Sequence, residues 1–278
     1  YSQVWLVVRR TVGGSEKRCI EHIDRFPADT ADAADGYFLD CGLSLDDPRT
    51  VTGATKADPV VLSVPAHGFS DGDLVDVADV TGMSELNGNR YTVASSTAET
   101  FALFGVDGTE FGAYASGGQV RKAVSAVAGL EHLDGETVSV VADGLVHADA
   151  TVSSGSLSLE APASRVHAGY GYPTEIETLR FEGRSPNGTV QARTKRIDHV
   201  TLRLHRSRGG RAGPDPGTLD DIELASGASI TGAALFSGDR AMAFPAGFGI
   251  DGRVVVRQDE PLPFTLLGVI VNIDVAAR

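Results

Sequence analysis

Asp71, Asp73, Asp76, Asp79 and Glu85 crowd into one stretch, HGFSDGDLVDVADVTGMSELNGNRYTV, residues 67–93. Such a density of carboxylates could hold a calcium ion or supply a general acid and base. Calcium loops place oxygen ligands at alternate positions and close with a bidentate Glu, and this spacing lacks that pattern. Asp76 alternates with Val75 and Val77, which turns its carboxylate to the solvent side of a half-buried strand. Asp71 and Asp73 flank Gly72, where Asp side chains bond nearby backbone N–H groups. The expectation is turn chemistry and surface charge, with no metal.

The other reactive residue types give no stronger pattern. The histidines at 22, 67, 132, 147, 167, 199 and 205 lack metal-ligand spacing. His199 and His205 would share a face of a regular strand, too far apart to chelate one ion. No serine sits in a G-x-S-x-G elbow, and Ser156 and Ser185 read as turn residues. No phosphate-cradling glycine loop occurs, and among 37 acidic residues nothing selects a catalytic pair. Cys19 and Cys41 could pair, but the expectation is two free, buried thiols, since a chain this long is not a disulfide-built scaffold. No catalytic residue, cofactor or metal ligand is expected.

The elements that carry these residues are strands. HVTLRLHRS places Val200, Leu202 and Leu204 on one face and Thr201, Arg203 and His205 on the other. LGVIVNIDV repeats the pattern with Leu267, Val269, Val271, Ile273 and Val275. VWLVVRR and KRCIEHID read as a hairpin around Gly13-Gly14, with Trp5 in a buried strand. Helix periodicity is confined to a turn or two in PADTADAADG and AVAGLEHLDG. The class is therefore all-β: antiparallel sandwich- or barrel-like modules. Residues 56–121 read as an inserted small β-barrel in a body made of 1–55 and 122–278, with Asn87-Gly88 as a tight turn. GFSDGDLVDVADV and EHLDGETVSVVADG echo one another, with Gly72 and Gly135 at the turns.

The 278 residues carry a formal net charge of −13 and a pI near 4.9, which argues against non-specific binding to nucleic acid or anionic membrane. No apolar run is long enough to span a membrane as a helix. The opening YSQVWLVVRR has no initiating Met and reads as the start of a fragment, not a signal peptide. One segment runs against the overall charge. Between 180 and 211, nine bases (Arg180, Arg184, Arg193, Lys195, Arg196, Arg203, Arg206, Arg208 and Arg211) face only Glu182 and Asp198. It is either an exposed strand face or a contact with acidic surface on a neighbouring subunit, with Arg203, Arg206, Arg208 and Arg211 as candidate interface residues. No aromatics interleave as in a single-strand nucleic-acid groove.

Several stretches together resemble one family. VWLVVRRTVGGSEKRCIEHID, LEHLDGETVSVVADGLVHADATVSSGSLSLEAPASRVHAGYGYPTEIETL, KRIDHVTLRLHRSRGGRAG and DGRVVVRQDEPLPFTLLGVIVNIDV resemble, in order, segments of the nozzle (tail tubular protein B-like) components of short-tailed phages and prophages. Residues 56–121 separately resemble the small β-barrel known as the first catalytic-cysteine half-domain of ubiquitin-activating enzymes, although this segment has no Cys. The resemblance implies a non-enzymatic virion tail part, made in the bacterial cytoplasm. It would associate with other tail proteins and with itself in a ring through which DNA passes without specific binding. The nozzle family is usually longer, so the isolated fragment is expected to be monomeric. The rival expectation is a carbohydrate- or host-receptor-binding module, with Tyr91, Tyr114, Tyr170 and Tyr172 as platforms.

Overall fold

The computed structural model describes residues 3–23, 33–182, 184–185, 188–189, 193–224, 235–244 and 247–276. The side chain of Arg184, the start of PADTADAADG and the Asn187 position lie outside the described residues. The chain is nearly all β, in several antiparallel sheets. Among the described residues helix is limited to single turns, including Ala33–Asp35 and Glu131–Leu133 in the two segments with short helical periodicity.

Strands β1 (Trp5–Val12) and β2 (Ser15–His22) form the expected hairpin, with Val12 opposite Ser15. Gly13 and Gly14 both hold positive φ, which a two-residue hairpin turn of this hand requires. Antiparallel pairing puts Leu6, Val8, Arg10, Val12, Cys19 and Glu21 on one face and Trp5, Val7, Ile20 and His22 on the other. Only the first face meets the body. Trp5 is 60% exposed, Val7 76% and Ile20 74%, which corrects the expectation of a buried Trp5. The physical reason is that this sheet has two strands and, among the described residues, no second layer over its outer face.

After β3 (Leu39–Asp46) come the short strands β4 (Arg49–Thr50), β5 (Gly53–Ala54) and β6 (Val61–Ser63). They are followed by β7 (Leu74–Thr81), β8 (Asn89–Ala94), β9 (Thr100–Leu103) and the long β10 (Ser116–Ala128). The order β10-β7-β8-β9-β6-β5 wraps a core that includes Leu62, Val75, Val77, Met83, Leu86, Phe101 and Leu103. The ladders do not close into a barrel, which corrects that part of the expectation. Segment 49–54 instead straddles the gap: Thr50 pairs with Gln119 at one end and Gly53 with Ser63 at the other. Val51 belongs to this core, so the packed unit begins a few residues before 56.

The second half of β10 leaves that core and pairs with β13 (Ser156–Ala163), after β11 (Thr137–Ala142) and β12 (Leu145–Thr151). A middle sheet of order β12-β11-β14-β3 follows, with β14 at Arg165–Gly171. The sequence echo has a structural counterpart. Gly72 N–H donates to Val93 O and Val93 N–H to Asp73 O; Gly135 N–H donates to Val152 O and Val152 N–H to Glu136 O. Both glycines hold positive φ.

The remaining strands are β15 (Thr174–Glu177), β16 (Arg184–Ser185), β17 (Gly188–Thr189), β18 (Lys195–Ser207), β19 (Arg211–Asp215), β20 (Thr218–Asp221), β21 (Phe236–Ala243), β22 (Val255–Gln258) and β23 (Thr265–Val275). Sheets β15-β22-β19-β20 and β21-β18-β23 contribute side chains to one core, among them Leu202, Leu204, Ala212 and Val256, as in a sandwich.

Candidate subunit interface

The arginine-rich segment is centred on β18. Val200, Leu202 and Leu204 point inward, as the alternation required. A register shift between Ile197 and His199 changes the phase, so Ile197 and Lys195 are also buried. The Lys195 side chain is fully enclosed, and its Nζ donates to Phe181 O at 3.0 Å and to Glu182 Oε1 at 2.9 Å. Lys195 is therefore an interior anchor and no part of a basic surface. A period of two cannot reveal this, because the bulge that inverts it has no residue signature.

Four of the other bases meet carboxylates beyond residue 211. Arg203 lies directly opposite Asp239 in the β18–β21 ladder and binds it through two hydrogen bonds of 2.7 and 2.8 Å. The pairing raises the arginine's pKa and holds the Asp239 carboxyl below its usual range. Arg196 is opposite Asp274, at 3.1 Å, and its guanidinium lies over the Phe248 ring. Arg180 reaches Asp251 at 2.6 Å, and Arg211 pairs with Asp259. Arg208 donates to Gly144 O, joining the C-terminal sheets to the β11–β12 turn. Arg206 holds a positive φ, and its backbone N–H donates to Ser237 Oγ at 2.9 Å. The local excess of positive charge in sequence is thus offset in space by Asp239, Asp251, Asp259 and Asp274, all beyond residue 211.

Beside these exposed ion pairs the region also exposes large apolar side chains. Leu267 is 62% exposed and Leu179 90%; Ile176, Phe248, Ile250 and Ile270 are exposed as well. Strand β23, eleven residues long, forms the edge of its sheet, and among the described residues nothing pairs with its outer side. Long apolar edge strands are surfaces that other chains add to, unless they are covered or charged.

The carboxylates of residues 71–85 are not brought together. Asp71 accepts from Ser96 N–H, and Asp73 from Ser70 N–H and Lys122 Nζ at 2.7 Å. Asp76 forms two hydrogen bonds with Arg90, and Glu85 accepts from Gly112 N–H at 2.9 Å. Asp79 sits at positive φ in a β7–β10 irregularity, facing solvent. Among the described residues, one group has the spacing of metal ligands: Cys19, Glu21 and Cys41, with ligand atoms within 4.8 Å of one another. Sequence reading missed this group, since it joins two separate sheets.

His167 is buried beside Ser44. Its Nε2–H donates to Ala34 O at 3.0 Å, and its Nδ1 lies 2.7 Å from the Ser44 hydroxyl. Tyr37 stacks on the ring at 4.0 Å, and burial pushes the imidazole's pKa down. A serine–histidine contact is half of an acyl-transfer site, but here the second nitrogen faces a backbone carbonyl where a triad has a carboxylate. The arrangement fastens segment 34–38 to β14. Of the tyrosine platforms, Tyr91 and Tyr114 pack against the first core and Tyr170 against the middle one, leaving Tyr172 exposed.

Residues 60–123 match the family model of the ubiquitin-activating enzyme E1 FCCH domain. That domain is a non-catalytic part of E1 enzymes. The match runs from the strand edge at Val60 into β10 and covers the first core. No curated protein matches the chain.

Proposed function

We propose that the chain is a structural, non-enzymatic component of a phage or prophage tail, of the nozzle type, residing in the virion after synthesis in the host cytoplasm. In this reading it contacts other tail proteins and copies of itself in a ring, and DNA passes without specific binding. The observation that carries the reading is the apolar surface of the C-terminal sheets, where Leu267 and Ile270 stand on an unpaired edge strand. Contiguous exposed apolar surface marks interaction sites. An acidic chain suits a conduit, because each phosphate-pairing base would add salt-dependent affinity for the passing polyanion.

In this reading Arg203, Arg206, Arg208 and Arg211 remain the candidate subunit boundary. Reversing them is a poor test, since Arg203 and Arg211 already bind Asp239 and Asp259 within the chain. The sharper test changes Leu267 and Ile270 together to Asp and scores incorporation into tail particles by electron microscopy. Incorporation should be lost while the purified variant keeps its circular dichroism and melting temperature. Normal incorporation would sink the interface.

A second reading, a glycan- or receptor-binding module, is favoured by one observation. Trp5 is exposed, with its ring tilted at 45° against His22 at a centroid distance of 5.2 Å, offering an aromatic platform on the hairpin. Quenching of Trp5 fluorescence by host surface polysaccharide would support it over the structural reading.

A further inference from the structure

The hairpin β1–β2 shares no ladder with any other sheet among the described residues. Polar contacts help tie it to the body: Arg10, which binds Glu21 within the hairpin through two hydrogen bonds, reaches Asp40 at 2.7 Å, and Glu136 accepts from Gly13 N–H. Beneath these lies the pair Cys19, half-buried on the hairpin's inner face, and Cys41, buried on β3. They are far apart in sequence and within 4.8 Å in space.

The backbone at Cys41 is unusual. Ala168 pairs with Leu43 and Tyr170 with Asp40, so Cys41 and Gly42 together oppose Gly169 in a bulge. Cys41 holds φ of 52°, a conformation that L-residues with a Cβ seldom adopt. Bulges re-aim side chains, and this one directs the Cys41 thiol to the interior beside the hairpin. Glu21 completes the cluster, but both its oxygens already accept from Arg10, at 2.6 and 2.7 Å. His132, the neighbouring imidazole, commits its Nε2–H to Cys41 O at 3.0 Å. A divalent cation would have to displace Arg10 to recruit Glu21, so two thiols are the groups left to react.

We propose that Cys19 and Cys41 are a redox-active pair that closes to a disulfide and locks the N-terminal hairpin onto β3. The oxidant is a small disulfide of the glutathione class. The Cys19 thiolate, the more exposed of the two, attacks one glutathione sulfur; the S–S bond of glutathione breaks and the released thiolate takes up a proton. Cys41 loses its proton past the Glu21 carboxylate to solvent and attacks the Cys19 sulfur, expelling the second glutathione. Two protein thiols and one glutathione disulfide become one protein disulfide and two glutathione thiols. Burial pushes the Cys41 thiol up to about 12, which makes the second step the slower one. Closure requires the sulfurs, now within 4.8 Å, to approach to about 2.05 Å.

The test incubates the whole chain in oxidised glutathione, quenches by alkylation and maps the peptides by mass spectrometry. The expected product is monomeric, lighter by two hydrogen atoms, with one peptide linking positions 19 and 41. Proteolysis within the hairpin should slow relative to the reduced chain. Cys19→Ser and Cys41→Ser should each abolish the link; if either fails to fold, the wild-type map still decides. A stable glutathione adduct at Cys19 with Cys41 free, or disulfide-linked dimers, would overturn the proposal. So would one equivalent of zinc protecting both thiols from alkylation, which would make the cluster a metal site.

Discussion

The FCCH-like unit and the C-terminal sheets are built from the same strand vocabulary and finish their cores differently. In the first, Leu62, Val75, Leu86, Phe101 and Leu103 are sealed from solvent, and Phe104 is the one exposed large apolar side chain between 60 and 123. In the second, Leu202 and Leu204 are sealed, yet Leu267, Ile270, Phe248 and Ile250 remain outside. The first unit wraps its sheet far enough for segment 49–54 to bridge the gap. The second keeps a long edge strand open. The first core is closed within its own unit; the second leaves large apolar side chains at its surface.

The largest test of that contrast is truncation. Phe101 is fully buried, in edge-to-face contact with Phe69 and His67. Phe101→Ala should destabilise the FCCH-like unit by about 3–5 kcal/mol, as core aromatics do. Ile270→Ala should leave stability within about 0.5 kcal/mol, as at ordinary surface positions. Denaturant unfolding of both variants measures the gap. Equal losses would mean that Ile270 belongs to a core the chain completes by itself.

A smaller effect separates the two interiors by chemistry. The first unit is held by aromatic and aliphatic packing, whereas the second encloses the ammonium of Lys195 between Phe181 O and Glu182. Glu182→Ala leaves that charge with the carbonyl alone and should cost about 2–3 kcal/mol, the range for losing a charged hydrogen bond to a buried group. Lys195→Met combined with Glu182→Gln should recover most of the loss, since a neutral pair needs no counter-charge. A single variant as stable as the parent would show that water reaches the site.

How much of this was legible follows the range over which each feature is encoded. The hairpin around Gly13-Gly14 is local: alternating strands and two adjacent residues tolerant of positive φ define it. The inward face of β18 was equally plain from Val200 to Leu204, and it failed at Lys195, where a bulge reverses the phase. Trp5 misled because strand alternation says which residues share a face and nothing about whether a second layer covers it. The charge of residues 180–211 misled for a different reason. Register brings Asp239 and Asp274 opposite Arg203 and Arg196, and sequence distance hides the neutralisation. The thiol cluster needed both a bulge in β3 and the docking of the hairpin, two facts absent from any local pattern.

The smallest expected effect is none, and it concerns the acidic stretch that most resembles a site. If the FCCH-like unit is complete without a ligand, its carboxylates serve turns. Asp71 holds Ser96 N–H, Asp73 caps the Ser70 turn and pairs with Lys122, and Asp76 binds Arg90 across the β7–β8 ladder. Burial alone would raise the Asp73 carboxyl; Lys122 and the Ser70 N–H reverse that and leave it below its usual range. Each carboxylate is thus aimed at different partners, and converging them on one ion would require breaking the turns that place them. A ligand bound only by the folded state would raise the melting temperature as its concentration passed its dissociation constant. Excess calcium should therefore leave the melting temperature of the whole chain unchanged. Saturable calcium binding that Asp73→Asn abolishes would reverse the assignment and make the acidic stretch of the FCCH-like unit a metal site.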